Sequence, residues 1–159
     1  MSTTSNPSVP ISPVGGSEDG ARRRDALQTL LTRLVDARDG LDAMIERAEP
    51  EITPILRKIR EDHHESSIRV SAMIVAEGGE PDADGSMQST VNKAVVSIRA
   101  IFDDLDEDAL ERVVEGEQHV IDAFEDAAAE HENGRARDEL AEMRQRLGSL
   151  LDEADRMAT

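Results

Sequence analysis

The chain has 159 residues, a length that suits one domain, and its formal charge of -17 repels nucleic-acid phosphates and anionic lipid heads alike. It has no Cys, Trp or Tyr and only two Phe, so disulfides and thiolate ligands are excluded. The core must come from Leu, Ile, Val, Ala and Met, which suits helix packing better than a β-sandwich.

Residues 1–22 are rich in Ser, Thr, Pro and Gly, carry no hydrophobic period, and read as a disordered tail. From Arg23 to Ala48 the apolar residues Leu27, Leu30, Leu34, Ala37, Leu41, Met44 and Ala48 recur at spacings of three and four. They make the buried stripe of a long amphipathic helix that Pro50 ends. Thr53 and Pro54 read as an N-cap followed by a first-turn proline. The second helix then runs to Glu77 with Leu56, Ile59, His63, Ser66, Val70 and Met73 inward, and Gly78-Gly79 stops it.

Ser86 opens a shorter helix to Phe102, with Met87, Val91, Ala94, Ile98 and Ile101 on its apolar face. Five acids between Asp103 and Asp108 suit the positive N-terminus of the next helix, which runs from Asp106 to Glu132. Its inward line is Leu110, Val114, Glu117, Ile121, Phe124 and Ala128. Asn133-Gly134 ends it, and a final helix spans Arg135 to Met157 with Leu140, Met143, Leu147, Leu150 and Ala154 on one face. Residues 23–159 therefore read as one all-α domain, an antiparallel four-helix bundle of ferritin-like type. The short extra helix lies in the crossover between the second and third long helices. No apolar run approaches the ~20 residues of a membrane span. The N-terminus lacks the basic start and apolar stretch of a secretory signal. The expectation is a cytoplasmic protein with neither nucleic-acid nor membrane partners.

Three segments resemble a known family. GGEPDADGS at 78–86 matches a GG-x-P…GS loop, DARDGLD at 36–42 an Asp-Gly element on a first helix, and LERVVEGEQHVIDAFEDA at 110–127 a helix with a Gly-Glu step. Together they resemble a bacterial family of uncharacterised ferritin-like four-helix-bundle proteins, over Leu27 to Met157. The chain departs from that family in its short helix, VNKAVVSIRA, and in a last helix without His. The resemblance implies a fold and no reaction.

Ferritin-like di-metal sites draw a Glu from each of two helices and a Glu-x-x-His from each of the other two. Here one such string exists, Glu61 to His64, and helical geometry turns His63 inward but Glu61 and His64 outward. The first helix brings no carboxylate to its inward line. His63 and Glu117 remain as the candidate ligands for iron or manganese, with Glu61 and His64 as weaker ones. A buried polar contact between His63 and Glu117 that fixes helix register is the plainer reading. His119 and His131 read as surface or helix-end residues. Outside, Ile68, Ala72 and Val75 form a second apolar strip suited to the short helix or to another subunit. Two functions follow as expectations. The first is a non-enzymatic bundle acting through self-association or a protein partner. The alternative is a ferritin-like metalloprotein with iron or manganese in the core and, if any activity, a ferroxidase-like one.

Overall fold

The computed structural model describes residues 16–85 and 105–159. Among these residues there are four α-helices and no strand: α1 (Gly16–Ile45), α2 (Thr53–Ala76), α3 (Glu107–Glu130) and α4 (Arg135–Ala158). The short helix expected over 86–102 lies outside the described residues, as do residues 1–15 of the expected tail. None of the described helices is long and apolar enough to cross a membrane.

The helix ends follow from local chemistry. α1 begins at Gly16, before the Arg23 of the sequence reading, because Glu18 and Asp19 occupy its first turn, where the helix dipole favours acids. It ends at Ile45, and the amide of Arg47 closes a turn on the Met44 carbonyl ahead of Pro50. Thr53 is the first residue of α2 and not its cap. Ile52 holds the N-cap position without a side-chain bond, and the Thr53 hydroxyl donates to the Glu49 carbonyl at 2.9 Å. At the far end Gly78, at φ +81°, donates to Val75 and Gly79 donates to Ile74. That bond pair is a Schellman motif, and its left-handed position suits glycine. α3 is capped by Asp106, whose carboxylate accepts from the Asp108 amide at 3.1 Å.

α1 packs against α2 and α3, and α4 packs against the same two helices. The diagonal pairs, α1 with α4 and α2 with α3, bring no Cα atoms within 8 Å of each other. This all-α arrangement is compatible with a four-helix bundle. At one end, Arg24 near the start of α1 donates to the Glu77 carbonyl after α2 at 3.1 Å. At the other, Arg60 near the start of α2 donates to Asp42 near the end of α1 at 2.8 Å. α2 and α4 are joined by Lys58–Glu153 at 2.8 Å and Arg146–Asp62 at 2.7 Å.

The chain after α2 turns back along α1. Gln28 exchanges two hydrogen bonds with the backbone of Asp82, at 2.8 and 2.9 Å. Gly85 packs so closely on Val35 and Asp36 that an added Cβ would lie 2.8 Å from the Asp36 carboxylate. Beyond the undescribed stretch, the Leu105 carbonyl accepts from the Glu49 amide at 3.0 Å, past the end of α1. Phe124 and the leucines of α1 fill the centre, with Ile55, Leu56 and Ile59 of α2 and Leu140, Met143 and Leu147 of α4.

Candidate functional site

His63 and Glu117 arise on the diagonal helices, α2 and α3, and meet in the middle of the core. His63 is fully buried and Glu117 is 5% exposed. His63 Nε2 and Glu117 Oε2 lie 2.8 Å apart, so an Nε2–H donated to the carboxylate satisfies both. Helices whose backbones do not touch are thus joined by one polar contact. Four buried polar atoms on the same stretch of α2 have no hydrogen-bond partner: Asp62 Oδ2, His63 Nδ1, His64 Nδ1 and Ser66 Oγ.

Glu117 also lines a groove of about 240 Å³ between α1 and α3, opposite Ala37, Leu41 and Met44. Gly40 and Gly116 open it, since a Cβ on either would meet nothing within 4 Å. Among the described residues no three or more His, Asp or Glu side chains are grouped to hold a metal ion. Glu61 points to solvent and pairs with Arg60 at 3.4 Å, while His64 is half-buried. The structure therefore brings His63 and Glu117 together and leaves Glu61 and His64 out of their company.

Outside the core, Ile68 and Val75 are 58% and 60% exposed, the two large hydrophobic side chains so exposed among the described residues. Ala72 is exposed beside them. It also borders a chamber of about 400 Å³ whose walls include Met73, Ala76 and Ala136. Near the start of α2, the hydrogen bond from Arg60 to Asp42 of α1 holds the Arg60 guanidinium above its ordinary pKa.

Two buried groups escaped the sequence reading. Asp62, 6% exposed, accepts from Arg146 of α4 at 2.7 Å. It lies three residues after Ile59 and four before Ser66, a register that places it on the buried stripe. His131, read as a helix-end residue, is 5% exposed. It sits seven residues after Phe124, so the period that buries Phe124 extends to the C-cap of α3.

No curated protein and no solved structure matches the chain. A family model described as Domain of unknown function (DUF2383) matches residues 23–130, which takes in most of α1, all of α2 and all of α3. Since that is more than half of the chain, the protein belongs to the DUF2383 family.

Proposed function

We propose that this protein is a non-enzymatic, antiparallel four-helix bundle of ferritin-like topology that acts by self-association through the outer face of α2. The topology is supported by Arg24 with Glu77 and Arg60 with Asp42, which pair the starts of α1 and α2 each with the end of the other, and by Arg22 with Glu130, which pairs the start of α1 with the end of α3. It is supported too by the described ends of the connection, Asp82 beside Gln28 and Leu105 beside Glu49, which lie towards opposite ends of α1 as a ferritin-like crossover requires.

The observation that carries the association is the exposed pair Ile68 and Val75 on one outer stripe of α2. The chamber bordered by Ala72, Ala76 and Ala136 lies next to that stripe. A two-fold contact is isologous, with one patch facing its own copy. The protruding Ile68 of each copy then enters the chamber of the other. Glu65 and Arg69 flank the stripe with opposite signs, so the rim of such a contact is not of one charge. Light scattering across a wide concentration range tests this. A concentration-dependent dimer that Ile68→Glu abolishes supports the reading, and a strict monomer overturns it.

One observation favours a second reading, an iron or manganese protein using His63 and Glu117: a buried carboxylate beside an imidazole whose Nδ1 has no partner. Metal there has to displace the direct 2.8 Å contact. Anaerobic ferrous titration with elemental analysis separates the two readings. Stoichiometric iron lost in Glu117→Gln supports the metal site, and no retained metal removes it.

A further inference from the structure

The C-terminal ends of α2 and α3 converge on a polar cleft of about 470 Å³. Glu77 is the C-cap of α2, and His131 is the C-cap of α3. His131 Nδ1 donates to the Ala127 carbonyl at 2.7 Å, which leaves the lone pair of the neutral ring on Nε2. That Nε2 is buried and has no hydrogen-bond partner. Glu77 Oε1 stands 3.5 Å from it, while Glu77 Oε2 is held by Arg23 at 3.2 Å.

We propose that His131 Nε2 and Glu77 Oε1 are two protein ligands of a divalent transition-metal cation, with water completing its coordination. Three arguments support this. Metal-ligating histidines characteristically donate their other N–H to a carbonyl or carboxylate, and His131 is already anchored in that way. A separation of 3.5 Å is long for a hydrogen bond, yet close to the roughly 3.3 Å between two ligands each about 2.0–2.1 Å from a tetrahedral centre. Two helix C-termini direct their negative ends at the cleft, and Asp19, Glu130 and Glu132 also line it. Arg22, Arg23 and Arg135 line it as well: Arg22 pairs with two of these acids, Asp19 and Glu130, Arg23 with Glu77 Oε2 and Arg135 with Glu139 outside the cleft, so Asp19, Glu77, Glu130 and Glu132 leave the lining net negative by one charge.

With two protein ligands the site is open, and an imidazole with a carboxylate favours zinc, copper, nickel or iron over magnesium or calcium. The site rests on other observations than the association reading, but its ligands Glu77 and His131 also line the chamber offered to Ile68; zinc binding retained in the monomeric Ile68→Glu variant separates the two. The test is titration of untagged full-length protein with Zn²⁺ alone, by calorimetry and ¹⁵N-resolved imidazole spectra. One equivalent should bind and shift Nε2 of His131, and excess Mg²⁺ should not displace it. His131→Gln and Glu77→Gln should each weaken binding by about tenfold or more, while His119→Gln leaves it unchanged. Absence of stoichiometric binding overturns the site, as does Zn²⁺ that leaves the His131 ring resonances unmoved in the wild-type protein.

Discussion

A buried charge is stable only when partnered, and the cost of stranding it exceeds the net worth of the pair. Glu117 and His63 meet that condition through a single 2.8 Å contact, with almost no solvent to substitute for it. Glu117→Leu alone should therefore cost about 3 kcal/mol by urea unfolding, because it strands His63. The double variant His63→Leu/Glu117→Leu should recover most of that loss, since an apolar pair of similar volume fits the surrounding leucines. If the two single losses simply add, the pair is not coupled and the register role is wrong. The inward position of both residues was legible in the sequence, because three- and four-residue spacing from Ile59 and Ile121 places them on buried stripes. Their pairing was not, since no spacing within one helix says which helix lies across the core. His131 was illegible for a different reason. As the C-cap of α3 it sits where chains commonly reach solvent, and its burial depends on the neighbouring helix ends that cover it.

At the scale of the helix, the sequence places the start of α4 at Arg135 as the structure does, and the start of α1 is the boundary it misses most. Gly78-Gly79 was a readable stop because a Schellman turn needs a residue at positive φ. Gly78→Ala should lower stability by about 1 kcal/mol through left-handed strain alone, as no atom lies within 4 Å of the added Cβ. Gly79→Ala acts by another route. Its Cβ would come within 2.9 Å of both Ile74 and Arg24, so the loss there reports packing of the crossover. Asp106→Ala should cost about 1 kcal/mol by removing the acceptor for the Asp108 amide. Thermal unfolding of the three variants orders them, and an Asp106→Ala variant as stable as the parent refutes the cap. The start of α2 misled because Thr53 has the residue type of a cap while its hydroxyl is turned back to Glu49. The start of α1 misled because Gly16 and Gly20 are poor helix formers, and the acids Glu18 and Asp19 outweigh them.

For the whole molecule, the net charge of -17 opposes any contact between copies, while the outer stripe of α2 favours one. Fully burying an Ile or Val side chain is worth about 1.5–3 kcal/mol, and Ile68 and Val75 retain somewhat over half of that surface in the monomer. A two-fold contact buries both from each copy, about 3.5–7 kcal/mol in all. Association itself costs about 4–15 kcal/mol, so the dimer must be weak and its population set by concentration. Charge repulsion then decides where the balance falls. The Debye length shrinks from about 30 Å at 0.01 M salt to about 10 Å at 0.1 M, which is short enough to screen one copy's field from the other. Raising salt from about 0.01 to 0.5 M should therefore increase the dimer fraction seen by sedimentation. Ile68→Glu should stay monomeric throughout, because it adds charge where the contact needs apolar surface. A dimer that dissociates as salt rises would mean that ion pairs hold the copies together, and the α2 stripe would then not be the interface.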